Sequence, residues 1–368
     1  MTQGQESRIE HPYFMYDAIQ AQPQAVEEML RKHGTGVQEV AATIARKRRL
    51  HVVGIGTSWH AALVAEHWFR RFCARSLEVR AWHSFEFCAY SPSLSDEDAV
   101  VVISHRGTKT YSFLALEMAR AAGSYTVSIT STDPGPRIQE ADRVLNTVEQ
   151  ERSAAFTVSY TSALTVLAML AIAVGSWTDS SEEVPLLRAQ LEEVPSKMTE
   201  VLTHGGAVQR AARRFQSRNR FICMGWGPNT ANSYEVALKI KETSANDSEG
   251  LQVEQLLHGP FCSVDQHSLI TLIAPPGPGY ERSLNIARAS IEVGAPVWAL
   301  VQEGDTLLSD LATESFYLPP APEFWSPLLY VLPLQLFTYY LALARGTHPD
   351  LFQQDNPKQA AARRHYDL

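Results

Sequence analysis

Four cysteines, Cys73, Cys88, Cys223 and Cys262, are all that 368 residues contain, and no two of them form a CxxC pair. A disulfide framework is therefore not indicated, and a reducing cytoplasm fits. No cluster of His and Cys has zinc-ligand spacing, so neither a metal nor another cofactor is expected. Extended positive charge is missing too. The formal net charge is -8 and the pI about 5.9, which argues against nucleic acid or an anionic membrane as a partner. The densest basic run, Arg46-Lys47-Arg48-Arg49, is short and suits the C-terminal end of a helix, where the dipole favours cations. The longest apolar run, Ala163 to Val174, is too short to span a bilayer and reads as a buried core helix. The first ten residues are polar, so no signal peptide is read.

What is present is ample apolar content, 45% of residues, in a chain long enough for two globular units. The two units resemble each other. "RLHVVGIGTSWHAALVAE" (49–66) matches "RFICMGWGPNTANSYEVA" (220–237): a basic residue, an apolar strand, GxG, polar residues, then a helix. Gly54 and Gly56 thus correspond to Gly225 and Gly227. At nearly the same separation, "VVVISHRGTKTYSFLALEMARAAGSYTVSIT" matches "ITLIAPPGPGYERSLNIARASIEVGAPVWAL", pairing Gly107 with Gly277. Each copy alternates strand, loop and helix, with near-continuous apolar strands of the kind buried on both faces of a parallel sheet. The expected fold class is α/β, a doubly wound parallel sheet flanked by helices, present twice as an internal repeat. The expected boundaries are an N-terminal helical segment (1–48, with Pro23 inside a helix from Met15 to Lys32), a first domain (49–178), a helical linker (179–214, with a Ser/Glu-rich stretch at Asp179 to Glu183), a second domain (215–345) and a polar, irregular tail (346–368).

Ligands of such sheets sit at the carboxyl ends of strands. In the first copy two loops lie there, Gly56-Thr57-Ser58 and Ser104-His105-Arg106-Gly107-Thr108-Lys109. Backbone N–H groups at a helix start, with hydroxyls and cations nearby, suit a phosphate or another anion; a solvated loop is the plainer alternative. The second copy has Ala274-Pro275-Pro276-Gly277-Pro278-Gly279 instead, and prolines have no N–H to donate. The scaffold therefore does not itself require Arg106 and Lys109. GIGTSW and GWGPNT both lack the third glycine of GxGxxG, so a dinucleotide site is weakly supported.

In "YEVALKIKETSANDSEGLQVEQLLHGP", Glu235, Lys239 and Glu242 fall on one helical face. Glu242 lies near the helix end, where a carboxylate is disfavoured by the dipole. His258 precedes Gly-Pro and so belongs to a turn. A Glu and a His brought together could divide base and acid work near neutral pH. Taken singly, a surface ion pair and a hydrogen-bonded turn residue explain them equally well.

The order "GTSWHA", "VVISHRG", "EVALKIKE" and "LLHGP" resembles the sugar isomerase (SIS) domain family, in particular the tandem-SIS isomerase half of glucosamine-6-phosphate synthases. The likeness runs from "HPYFMYDAIQAQPQAVEEML" to "FQQDNPKQAA". It implies that Glu242 is the base moving a proton between C1 and C2 of a sugar, with Lys239 and Glu235 on the same helix. His258 is implied to assist ring opening across a dimer interface, and Thr57 and Ser58 to line a sugar-phosphate site. The departures matter as well. The family's "SQSGET" loop is here Ser104 to Lys109. "VASTKAFT" is "AAFTVSYT", with Phe156 at a serine position and Val158 at a lysine. The family's tail lysine that forms a Schiff base aligns with Ala362, with Lys358 and Arg363 out of register, and no glutaminase domain is expected. The resemblance thus implies a stand-alone enzyme acting on an amino or ketoamine sugar phosphate: a deglycase, a deaminase or an isomerase. A non-catalytic sugar-phosphate-binding regulator is the alternative, and a carboxylate held by Arg106 is an alternative to the phosphate. The expected partners are a small anionic sugar and a second copy of the chain.

Overall fold

A computed structural model describes residues 8–73, 77–178 and 182–366. Among them ten strands form two five-stranded sheets. The first sheet holds β1 (Arg49–Gly54), β2 (Glu78–His83), β3 (Asp98–Ile103), β4 (Tyr125–Thr130) and β5 (Arg143–Asn146) in the order β2-β1-β3-β4-β5. The second holds β6 (Arg220–Gly225), β7 (Asp247–Gln252), β8 (Ser268–Ala274), β9 (Val297–Gln302) and β10 (Glu314–Leu318) in the order β7-β6-β8-β9-β10. The two orders are the same, and every pairing is parallel. The repeat read in the sequence is therefore a repeat of topology.

The central strands β3 and β8 are buried at every residue, as expected of a sheet covered by helices on both faces. In both copies the first strand runs directly into a helix, Thr57–Phe72 or Asn229–Ser244, through a turn that admits no side chain. A Cβ on Gly54 would lie 2.3 Å from Ser58 O, and one on Gly225 2.3 Å from Asn229 O. The helix start is thereby drawn up to the strand's carboxyl end, where ligands of this fold class bind.

Two long apolar helices pack inside the protein, Val158–Trp177 and Ser326–Ala344. The first is 20 residues long, longer than the run Ala163 to Val174 suggested, and long enough by length and composition alone to cross a membrane. Its most apolar stretch is nonetheless 94% buried within the fold, so it serves as a core helix. One apolar cluster joins residues of both halves, including Val52, Ala168, Phe221, Trp298 and Leu336.

Several local expectations need correction. Met15 to Lys32 is two helices, Phe14–Gln20 and Gln22–Lys32, because Pro23 takes the first turn of the second, where a missing N–H costs nothing. The expected helical linker is likewise more than one helix, with Val184–Glu192 followed by Val194–Thr203 and Pro195 opening the latter. Of the Ser/Glu-rich stretch, 179–181 lie outside the described residues. The tail is not irregular throughout: Pro357–Ala362 is helical, with the Asn356 side chain accepting from Lys358 N–H at its start. The basic run follows the Gly34–Ile44 helix and is held by the β3 entrance, Lys47 Nζ donating to Asp96 O at 2.6 Å and Arg49 pairing with Asp98 at 2.5 Å.

Candidate active site

The helix Asn229–Ser244 brings Glu235, Lys239 and Glu242 into one row facing the first domain. Lys239 is the centre of it. Its ammonium lies 2.5 Å from Glu242 Oε2, 3.3 Å from Glu235 Oε1 and 3.1 Å from Thr57 Oγ1, and its side chain is 1% exposed. From the first domain, Thr57 Oγ1 donates to Glu235 Oε1 at 3.1 Å, and His60 Nδ1 lies 2.6 Å from Glu235 Oε2. Trp59 stacks on Tyr234 beside them, ring centroids 6.1 Å apart. One buried polar network thus ties the GIGTSWH turn to the ALKIKE helix. A buried charge needs this many partners to be tolerated.

Two carboxylates share one ammonium, and the protein treats them differently. Burial favours the neutral form of each, but at Glu235 Lys239 and His60 more than offset it, so that carboxyl is held below its usual range and stays ionised. At Glu242 burial prevails over the attraction of Lys239, and repulsion from Glu235 adds to it. Its carboxyl is pushed up to about 7. Burial alone would lower Lys239, but its two carboxylate neighbours raise it to about 12, so it remains a cation. The side chain of Glu242 keeps 14% exposure while the other two are sealed. A carboxyl that changes protonation near neutral pH and still reaches the surface of its pocket has the properties of a general base.

The strand ends of the first domain supply the other wall. Ser104 and His105 are buried, 3% and 9% exposed, whereas Arg106 and Lys109 are half-buried. His105 Nε2 accepts from the N–H of Glu151 at 3.1 Å, which fixes the ring's proton on Nδ1. That Nδ1, Ser104 Oγ and Arg106 Nε are all buried with no protein partner among the described residues. The backbone N–H groups of His105, Arg106, Thr108 and Lys109 likewise have no backbone acceptor there. Burial, with Arg106 beside it, lowers the imidazole to about 4, so at neutral pH His105 is an uncharged donor. Gly107 takes φ +65°, and a Cβ there would lie 2.5 Å from Ile138; Thr108 points outward and is exposed. Phe156 fills the space a smaller residue would leave, 5.1 Å from the His105 ring and 5.0 Å from the Arg106 guanidinium. The cavity behind it, lined by Thr57, Ser58, His105, Phe156 and Tyr160 among others, measures about 20 Å³.

The second copy has no such site. Trp226, in its GWG turn, packs on Gly279, where a Cβ would lie 2.4 Å from the indole ring, and the Glu323 carboxylate closes on Gly227 and Gly277. The loop that has lost its N–H donors to proline is thus also covered.

Not every candidate residue joins the cluster. Gly56 turns the chain at φ +58°, Thr57 is in the network, and Ser58 lines the small cavity. His258 sits on the turn after the Val253–Leu257 helix, but its side chain is 69% exposed and pairs with Glu254 at 3.1 Å. Within one chain, therefore, His258 and Glu242 do not form a pair. Ala362 and Lys358 are both exposed. Sequence reasoning passed over His60 and Glu151. His60 follows Thr57 by three residues on the same helix, a spacing that signals a shared face. Glu151 is buried and accepts from the N–H groups of Thr157 and Ser159, fastening the start of the Val158–Trp177 helix next to His105.

Two matched parallel sheets, with a buried polar cluster shared between the halves at the carboxyl end of the first, define a tandem α/β protein. The SIS domain family matches residues 43–173 and 214–345, and the chain belongs to that family. Among curated relatives, it is 29% identical over 361 residues to a glutamine--fructose-6-phosphate aminotransferase (isomerizing) of Bacteroides thetaiotaomicron, covering 94% of this chain and 58% of that protein. It is 30% identical over 350 residues to the protein of the same description from Chlorobaculum tepidum, covering 92% and 56%. The chain thus spans little more than half the length of these relatives. In fold it is similar to the C-terminal domain of the Francisella tularensis glucosamine-fructose-6-phosphate aminotransferase (TM-score 0.85, 20% identity, covering 94% of this chain and 99% of that one). It is also similar to a Thermotoga maritima glucosamine-6-phosphate deaminase (TM-score 0.73, 20% identity, covering 92% and 97%).

Proposed function

We propose that the chain is an enzyme acting on an amino or ketoamine derivative of a sugar phosphate, with proton transfer between C1 and C2 followed by C–N cleavage. The observation that carries this reading is the buried Glu235–Lys239–Glu242 row, in which one carboxyl is locked as an anion and the other is raised to about 7. A protein that merely bound a ligand would have no use for a carboxyl raised by burial next to a fixed lysine, so the regulator reading is the less favoured. The relatives named above are aminotransferases and a deaminase of hexose phosphates, which agrees with the substrate class.

In the mechanism proposed, the loop Ser104 to Lys109 and Ser58 hold the anionic end of the sugar, placing C1 and C2 beside Glu242. Ionised Glu242 removes a proton from the carbon next to the carbonyl or imine and returns one to its neighbour. Lys239 stays charged throughout; it orients Glu242 and stabilises its anion without itself moving a proton. Thr57 and Glu235 hold Lys239 in turn, and His60 holds Glu235. A substrate that already carries nitrogen on C1 needs no lysine to activate its ketone, which suits a chain with Ala362 in the tail. Water then completes C–N cleavage to a hexose phosphate and a free amine. His258, exposed and away from Glu242 within one chain, would reach a site only from a second copy, and the reading therefore includes a homodimer with shared sites. The test is a panel of fructosyl-amine 6-phosphates and amino-sugar 6-phosphates, assayed for free hexose phosphate and released amine. Turnover of one class names the reaction; binding of hexose phosphate without turnover of any would return the protein to the regulators.

A further inference from the structure

His60 stands at the outer end of the acid row, and the mechanism gives it no part beyond holding Glu235. It lies in the first turn of the Thr57–Phe72 helix with its side chain 7% exposed, and its Nδ1 is 2.6 Å from Oε2 of the fully buried Glu235. A carboxylate held as an anion can only accept, so Nδ1 carries the hydrogen. The other nitrogen, Nε2, has no protein partner among the described residues and is not sealed from solvent. Trp59 and Tyr234 stand beside the imidazole, ring centroids 5.6 and 6.0 Å away. A buried carboxylate that orients one ring nitrogen and leaves the other free is the arrangement of a histidine that gains and loses a proton.

The row next to His60 is unbalanced. Glu235 and Glu242 offer two negative charges to the single positive charge of Lys239, and all three side chains are wholly or largely buried. Buried clusters tolerate net charge poorly. With Lys239 fixed as a cation and Glu235 as an anion, one further proton restores neutrality, and it has two places to go: the Glu242 carboxyl and His60 Nε2. The other titratable groups that face His60 do not fill this part. Burial raises the Tyr234 phenol, which stays neutral, and burial is also the main cause that lowers His83 at the end of β2, opposed by Glu86 and reinforced by His60. Glu86 itself is exposed.

We infer that His60 is the charge-compensating partner of Glu242: the imidazole and the carboxyl share one proton, so that Glu242 is an anion when His60 is a cation. His60 is thus a positioning residue, acting on the base through Glu235 and Lys239. An imidazolium at His60 satisfies Glu235 and leaves Lys239 to Glu242, which favours the ionised base; a neutral imidazole leaves Lys239 divided between two carboxylates. When Glu242 takes up a proton, His60 releases the one on Nε2 to water, and the cluster stays neutral. The sharing is a property of the row itself; its use in moving a proton on a sugar rests on the function proposed above.

The experiment is a pH titration of the full chain by NMR, with carbon-13 in the glutamate carboxyls and nitrogen-15 in the histidine rings, comparing the unaltered chain with His60→Gln and Glu242→Gln. In the unaltered chain the two groups are expected to titrate as a pair, each curve inflecting where the other changes. His60→Gln keeps an N–H donor for Glu235 but cannot take a charge, and should raise the Glu242 midpoint by about one pH unit. Glu242→Gln should lower the His60 midpoint by a similar amount, because coupling between two proton sites is reciprocal. A role in packing alone would produce no such matched pair of shifts. A Glu242 midpoint unchanged in His60→Gln, a His60 midpoint unchanged in Glu242→Gln, or a His60 that stays neutral while Glu242 ionises would each overturn the inference. The unaltered chain and Glu242→Gln decide it even where His60→Gln fails to fold. On a substrate that the chain converts, the rise of kcat/KM with pH should move up in His60→Gln by the same step as the Glu242 midpoint. Failure to convert any sugar phosphate would refute the proposed function and leave the NMR result standing, so the two readings fail separately.

Discussion

Replacing Glu242 by Gln separates a residue kept for chemistry from one kept for stability. The amide has the shape of the carboxyl and cannot ionise, and Lys239 would still be held by Glu235 at 3.3 Å. The Glu242 carboxyl is raised from 4.5 to about 7. Between those values the folded chain holds a proton that the unfolded chain has released, so the contribution of Glu242 to stability is present in full below pH 4.5 and falls away as pH rises through 7. At roughly 1.4 kcal/mol per pH unit, the loss amounts to about 3 kcal/mol by pH 8. The Gln variant has no such loss. Its stability relative to the unaltered protein should therefore grow by about 3 kcal/mol between acid and alkaline pH, most of it between pH 5 and 7. Urea denaturation of both proteins at pH 5 and pH 8 measures this directly. A difference independent of pH would refute the raised carboxyl, and with it the reason for regarding Glu242 as a base.

Other perturbations act on the same network. Lys239→Met leaves two buried carboxylates without a cation and should cost about 3 to 5 kcal/mol, read by the same denaturation assay, while shifting Glu242 still further up. His258→Gln alters an exposed side chain and should change stability by less than about 0.5 kcal/mol. If sites are shared between copies, mixing the inactive Glu242→Gln and His258→Gln proteins should restore about a quarter of full turnover through one intact site per mixed dimer; no recovery would count against a shared site. Gly54→Ala forces a methyl to within 2.3 Å of Ser58 O and should destabilise the GIGTSWH turn by about 1 to 3 kcal/mol, seen as a lowered melting temperature.

The repeat and its parallel, doubly wound character were legible because a parallel sheet imposes continuous apolar strands and a glycine at each strand-to-helix turn, and both recur in the two halves; the strand order came only with the structure. The row Glu235, Lys239 and Glu242 was legible because helical spacing is fixed. What could not be read was which residue from the other half would meet that row. His60 becomes a partner of Glu235 only once the Thr57–Phe72 and Asn229–Ser244 helices are packed together, and no local pattern encodes that contact. Pro23 was read as interior to a helix although it opens one, because a break of one residue does not disturb an apolar periodicity. The resemblance implied that His258 acts across a dimer interface, and within one chain the fold puts it on the surface. Arg363 stood out of register in a linear comparison, and the structure ties its guanidinium to Phe352 O within the tail.

The most direct measurement of the central claim is the turnover of Glu242→Gln on whichever amino or ketoamine sugar 6-phosphate the unaltered chain converts, with affinity for the same compound measured alongside. General-base catalysis predicts a fall in kcat of about 100-fold or more with affinity nearly unchanged, and in the unaltered protein a kcat/KM that rises with pH through about 7. Turnover that survives the substitution would contradict the assignment of Glu242 and the mechanism built on it.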